Sequence, residues 1–279
     1  MQNKSMPSVA FIGAGNMAGA ILRGLLQQGY PAEKIWAADP GADKLKALAD
    51  ETGIHTTTDN SQAIAEAQVV ILAVKPQVMQ QVLKPLQSSL QTHKPLVVSI
   101  AAGLTCDTLQ GWLGGQLPLV RSMPNTPSLL GAGVAGLYAT AEVNQEQRGW
   151  VQQISEAVGQ AFWVEEEQLL EAVTAVSGSG PAYYFLFTEA LAAAGEKLGL
   201  SAEVALKLAE NTAFGAGKML LGTEDSPAEL RAKVTSPGGT TAQAIQSFED
   251  QGLRKLVEAA AQAAAQRAQE LAEELKSTE

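Results

Sequence analysis

The chain is poor in the residues that most often build metal and nucleophilic sites. Cys106 is its only cysteine, and His55 and His93 are its only histidines. A single cysteine excludes an internal disulfide and suits a cytoplasmic protein. One cysteine and two histidines give no zinc-ligand spacing, and no clustered Asp/Glu motif stands out, so no metal is expected. Basic charge is scarce as well: 19 Lys and Arg stand against 29 Asp and Glu, a net charge of −10. Without a basic stripe, nucleic acid is not an expected partner. No apolar run reaches the length needed to cross a bilayer, so no membrane association is expected. The N-terminus, MQNKSMPSVAF, has no apolar core, and no signal peptide is expected there. There is no G-x-S-x-G elbow, no Cys–His pair and no Walker A lysine, which disfavours nucleophilic hydrolysis.

What is present points to a dinucleotide. The chain has 279 residues, enough for about two domains, and 46% of them are hydrophobic. Val9–Ile12 is a short apolar strand, followed by Gly13, Gly15 and Ala18/Gly19. A helix then carries Met17, Ile21, Leu22, Leu25 and Leu26 inward. This is G-x-G-x-x-A/G between a strand and a helix, the context in which backbone N–H groups hold a pyrophosphate. Further strands are expected at 34–38, 55–57, 69–73, 96–100, 119–123, 134–138 and 161–164, with helices between them. The runs at 69–73 and 96–100 are nearly all apolar, as in strands buried on both faces.

Asp39 ends the second strand. There it either accepts from the adenine-ribose hydroxyls and disfavours a 2′-phosphate, or serves the Asp39-Pro40-Gly41 turn and caps the next helix. Lys44 is the only close cation. Lys75 follows the fourth strand, at the sheet edge where ligands bind, and is either a cofactor-pocket residue or a solvated loop lysine. Asn125 and Thr126, on a loop stiffened by Pro124 and Pro127, are placed to reach a nicotinamide amide or a substrate.

Beyond residue 168 the pattern is helical only, with helices expected over 181–198, 201–221, from Ser226-Pro227, over 239–248 and over 253–275. Ser179 is an expected cap. Ser177-Gly178-Ser179-Gly180-Pro181 reads either as an anion-binding turn or as a tight helix contact. Tyr183, Tyr184, Phe185 and Phe187 read as core. Alanine-rich helices are short of bulky core residues, and burial against a second subunit would supply the missing contacts. The segment LRAKVTSPGGTTAQAIQSFE, residues 230–249, combines a glycine-rich turn with four hydroxyls and a helix start. It is a second anion site, of a different type from the first. Thr241 is its candidate hydrogen-bond partner for a substrate nitrogen; a helix N-cap is the alternative role.

Six blocks in order, FIGAGNM, LAVKPQ, VVSIAAG, RSMPNTP, AVSGSGPAY and VTSPGGTT, resemble those of the pyrroline-5-carboxylate reductase family over essentially the whole chain. The resemblance implies an α/β fold: a Rossmann doubly wound sheet in residues 1–166 and an all-α substrate-binding and dimerisation domain in 167–279. It implies reduction of 1-pyrroline-5-carboxylate to L-proline, NADPH as cofactor with NADH also served, and a homodimer, often a decamer of five dimers. Ile12, Gly13, Ala14, Gly15, Asn16, Met17, Asp39, Asn60, Ala73, Val74, Lys75, Pro76, Ile100, Ala101, Ala102 and Asn125 are the expected cofactor contacts. Glu224, Val234, Thr235, Ser236, Gly239, Thr240 and Thr241 are the expected substrate contacts, with Thr241 catalytic. Asp39 departs from many members, which carry a small hydroxyl residue there and favour NADPH. Two rivals remain: a β-hydroxyacid dehydrogenase, whose K-x-x-x-N spacing Lys207 and Asn211 match, and a non-catalytic NAD sensor.

Overall fold

The fold is given by a computed structural model that describes residues 6–276. An eight-stranded sheet runs in the order β3-β2-β1-β4-β5-β6-β7-β8. Its strands are β1 Val9–Ile12, β2 Ile35–Ala38, β3 His55–Thr57, β4 Val69–Leu72, β5 Leu96–Ser99, β6 Leu119–Met123, β7 Gly133–Ala139 and β8 Gly159–Trp163. All neighbours pair in parallel except β6 and β7. The expected strands are all present, with ends shifted by up to two residues. The antiparallel β6–β7 pair was not anticipated from the alternating pattern.

The helices interleaved with the sheet are α1 Asn16–Gln27, α2 Ala42–Thr52, α3 Asn60–Ala65, α4 Pro76–Leu83, α5 Gln87–His93, α6 Cys106–Trp112 and α7 Gln145–Glu156. They cover both faces. Val9, Phe11, Val69 and Ile71 pack on one side with Leu22 and Leu25 of α1 and Ile154 of α7. Ala10, Ile12, Val70 and Leu72 pack on the other with Ile64, Met79, Leu90 and Leu109. Successive residues of one strand thus enter opposite cores, which is why these strands read as unbroken apolar runs.

The later helices are α8 Leu169–Val173, α9 Gly180–Lys197, α10 Ala202–Gly222, α11 Pro227–Lys233, α12 Thr240–Asp250 and α13 Leu253–Lys276. The chain divides into two compact units. One holds everything up to Gly178 and takes back the segment from Ala264; the other is Ser179–Ala263. Strands give way to helices between β8 and α8, whereas the packing unit continues past the expected 166/167 boundary, through α8 and a π-helical turn, Thr174–Gly178. Ser177 and Gly178 therefore end a π-helical turn and Gly180 and Pro181 open α9, with only Ser179 as a bend between them, so the segment is not an open glycine turn. Ser179 makes no side-chain cap.

In the second unit α9 and α10 touch through small residues. Ala192, Ala205 and Ala209 are buried, and a side chain on Gly195 would meet the Ala205 methyl at 3.1 Å. Tyr183, Tyr184, Phe185 and Phe187, read from sequence as core, are exposed within the chain. An apolar helix that buries only Gly180 and Ala192 has no core of its own to enter.

Candidate functional site

The dinucleotide cradle is built by strand register. Ile12 lies level with Ala38 on one side and Leu72 on the other, and Leu72 with Ser99. The residues that follow, Gly13, Asp39, Ala73 and Ile100, therefore leave the sheet side by side at the carboxyl edge. Gly13 N–H bonds the Ala38 carbonyl at 2.8 Å, and Ala73 N–H bonds the Ile12 carbonyl at 2.8 Å. Gly13 has φ +97°, and a Cβ there would stand 2.8 Å from the Ala73 carbonyl oxygen, so only glycine fits. Gly15 has nothing within 4 Å of its missing Cβ, which leaves the backbone open to a ligand.

Helix α1 starts immediately after. Gly15 provides no side-chain cap and the first turn carries no acid. The first helical bond runs from Gly19 N–H to the Gly15 carbonyl, so the N–H groups of Asn16, Met17 and Ala18 have no intrahelical acceptor. With the helix dipole behind them, these groups fit a pyrophosphate. The pyrophosphate of a dinucleotide fits this geometry.

The other expected cofactor residues surround the same edge. Asn60 opens α3 behind an Asp59 cap. Lys75 is the exposed N-cap of α4, and Pro76 fills its first turn. Ile100 and Ala101 follow β5, where Ala101 N–H reaches the buried Ser99 hydroxyl at 3.4 Å; Ala102 is exposed.

Asp39 serves the turn after β2, as one of its two expected roles requires. Its Oδ2 accepts from Ala14 N–H at 2.9 Å and from Lys44 Nζ at 2.9 Å, and its Oδ1 accepts from Gly41 N–H at 3.0 Å. It thus ties the glycine loop to the turn after β2. It does not cap α2, whose N-cap is Gly41 without a side-chain bond. Burial works against its charge, yet the Lys44 ammonium and the two backbone donors hold the carboxyl below its ordinary value.

Asn125 differs from expectation. It is buried, its Oδ1 accepts from Val134 N–H at 2.9 Å, and its Nδ2 donates to the Ser177 carbonyl at 3.0 Å. Both ends of the amide are committed to holding the loop and the π-helical turn, so it is not free to reach a nicotinamide. A second connection escaped sequence reading altogether. Glu167 Oε1 receives Arg121 Nη1 at 2.6 Å and Cys106 N–H at 2.6 Å. No local pattern links these three positions.

The second expected anion-binding turn lies wholly in the helical unit. Gly239 N–H closes a turn on the Ser236 carbonyl at 3.0 Å, with Gly238 at φ +71°, and α12 follows. Gly239 is the N-cap with no side-chain bond, and the first turn of α12 carries no acid. Gln243 N–H makes the first helical bond, to the Gly239 carbonyl, leaving the N–H groups of Thr240, Thr241 and Ala242 without an intrahelical acceptor. Thr241 lies within the helix, so it is not the N-cap, and its hydroxyl makes no hydrogen bond among the described residues. Thr235 donates its hydroxyl to the Arg231 carbonyl at 2.6 Å, which removes that proton from ligand binding. Val234 and Glu224 are exposed.

The features of the dehydrogenase rival are explained locally. Lys207 is solvated and pairs with Glu210 at 3.1 Å, and Asn211 returns its amide to the Lys207 carbonyl at 2.8 Å.

Residues 167–271 match the family model for pyrroline-5-carboxylate reductase dimerisation, and residues 8–103 that for the coenzyme F420-dependent NADP oxidoreductase. The pyrroline-5-carboxylate reductase of Pseudomonas aeruginosa is 52% identical over 256 residues, covering 92% of this chain and 93% of its own. That of Escherichia coli is 40% identical, covering 89% and 92%. A solved pyrroline-5-carboxylate reductase from Coxiella burnetii superposes with TM-score 0.93 at 45% identity, over 96% of this chain and 99% of that one. The Plasmodium falciparum enzyme, solved with NADP bound, has TM-score 0.81 at 28% identity, over 98% and 99%.

Proposed function

The chain belongs to the pyrroline-5-carboxylate reductase family, and on that premise we propose that it reduces 1-pyrroline-5-carboxylate to L-proline, the last step of proline biosynthesis. A reduced nicotinamide, NADPH or NADH, supplies the hydride when bound. The free N–H groups at the start of α1 hold its pyrophosphate, and Asp39 meets the adenine ribose. Asn60, the loop from Ala73 to Pro76 and the loop from Ile100 to Ala102 line the rest; Ile12, expected among these contacts, is instead buried in the core with its carbonyl bonded to Ala73 N–H, and acts by holding the strand edge.

The observation that supports the substrate half is the turn before α12. It presents free backbone N–H groups and unpartnered hydroxyls at a helix start that carries no acid. The substrate is a small ring with one carboxylate. The N–H groups of Thr240 and Thr241 and the Ser236 hydroxyl hold that carboxylate, with Val234 and Glu224 beside the ring and Gly239 allowing close approach. A protonated cyclic imine is already electrophilic and needs no strong acid. Its N–H donates to Thr241 Oγ1, which fixes the face offered for hydride transfer. Catalysis is then mainly positioning. Thr235 shapes the turn rather than donating to the substrate, since its hydroxyl is bonded to the Arg231 carbonyl and its N–H to the Ala232 carbonyl of α11.

The dimerisation family match supports self-association. Residues 167–279 serve as the substrate-binding and dimerisation domain, and five dimers form a decamer. The enzyme works in the cytoplasm, where its single, buried thiol is at no risk of cross-linking.

The test is an assay of 1-pyrroline-5-carboxylate reduction with each cofactor, on the parent and on two variants. Thr241→Val should lower kcat/KM by about tenfold to a hundredfold, the cost of one hydrogen bond to a charged partner. Cofactor affinity without substrate should change by less than about twofold. Lys207→Ala should match the parent. No turnover with either cofactor, or the reverse pattern between the two variants, would defeat this reading.

A further inference from the structure

The acid at the end of β2 is not a bare carboxylate. Asp39 is pinned by two backbone donors, Ala14 N–H and Gly41 N–H, and cannot swing away when a ligand arrives without breaking the link between the glycine loop and its own turn. Its side chain is only 15% exposed, whereas Lys44, bonded to it at 2.9 Å, is 49% exposed. One member of the pair is thus fixed and the other is free to move. Lys44 sits in the first turn of α2 on a four-carbon stem. Its ammonium has three donors, only one of which is used on Asp39.

Given the nicotinamide-cofactor reading above, on which this rests, we infer that Lys44 is the residue that admits a 2′-phosphate to this site and that the Asp39–Lys44 pair serves both cofactor types. With a free ribose diol, the pinned carboxylate accepts the hydroxyls, as acids at this strand end do. With a 2′-phosphate, Asp39 alone would repel the new charge. Lys44 cancels the carboxylate and turns its remaining donors to the phosphate oxygens, as a point charge. Arg23, the nearest arginine in sequence, is already held by Glu51 through two bonds of 2.7 Å and is not available for this role.

Equilibrium titration without substrate tests this. NADPH and NADH are titrated by fluorescence, and adenosine 2′,5′-bisphosphate and AMP by calorimetry, against the parent, Lys44→Met and Asp39→Ser. Lys44→Met keeps the stem on a solvated helix face and removes only the charge. It should weaken NADPH and the bisphosphate by about tenfold or more, one charge-assisted contact, while NADH and AMP change by less than about twofold. The parent's NADPH affinity should fall more steeply with salt than the variant's. Asp39→Ser should shift the preference the other way, toward NADPH. Equal weakening of all four ligands by Lys44→Met, or no weakening of the phosphorylated pair, overturns the assignment. If the parent binds AMP-type ligands but neither nicotinamide cofactor, the cofactor reading fails and this inference with it.

Discussion

In the sheet unit, Phe11, Leu22, Ile71 and Leu72 are fully shielded, and two cores sandwich every central strand. In the helical unit, Tyr184, Phe185 and Phe214 are 68 to 69% exposed and Leu221 is 91% exposed. Composition is apolar in both, so the difference lies in what each unit has to pack against. A parallel sheet brings its own helices to both faces, because every crossover must return over the sheet. Helices α9 and α10 meet through alanine and glycine, which allows close approach but leaves their large side chains pointing outward. Exposed aromatics in this number mark an interaction surface rather than a core. One unit is completed within the chain; the other leaves an apolar surface, and its match to the dimerisation family supports self-association.

The strongest way to break this contrast is to charge the helical surface. Phe185→Asp combined with Phe214→Asp should abolish the dimer. A symmetric interface carries each change twice, so the dissociation constant should rise by more than about a thousandfold. Size exclusion with light scattering checks this; an unchanged mass would place the contact elsewhere on the molecule.

Next in size is a cavity in the sheet unit. Leu72→Ala should cost about 2–5 kcal/mol in denaturant unfolding, since the site is walled by β1, β5 and the helices behind them. Its assembly mass should stay that of the parent. A loss below about 1 kcal/mol would mean that the core collapses around the gap.

The smallest effect is alkaline. Tyr30 is buried, with its hydroxyl donating to the Pro7 carbonyl, and burial raises its pKa. Cys106 is raised for the same reason, with the Glu167 carboxylate adding to it. In the unfolded chain these groups ionise at ordinary values, about 10 and 8.5. Above those values the folded state keeps protons that the unfolded state has lost, so stability falls as pH rises, by at most about 1.4 kcal/mol per pH unit for one group. Tyr30→Phe should flatten the slope of unfolding free energy against pH above about 10. An identical slope would remove Tyr30 from the account.

Much of this protein is legible in one dimension because its constraints are local. The cradle needs glycine at Gly13 for a positive φ and a close neighbour, and at Gly15 for an open backbone; those demands leave a spaced motif between a strand and a helix. Strands buried on both faces leave unbroken apolar runs. The turn before α12 likewise writes its need for Gly238 and Gly239 directly into the sequence, and so does the order of the six family blocks. Only the tertiary structure decided how side chains far apart divide the work. Asp39 reaches back 25 residues to Ala14, Arg121 forward 46 to Glu167, and Asn125 forward 52 to Ser177. Tertiary packing likewise made Ser177 and Gly178 part of a π-helical turn rather than a loop, and left the aromatics of α9 exposed within the chain. A local pattern records the backbone conformation a residue must adopt. It does not record which distant donor or acceptor will stand opposite once the sheet has set its register, and in this chain that pairing separates the residues that hold the site from those left free to act in it.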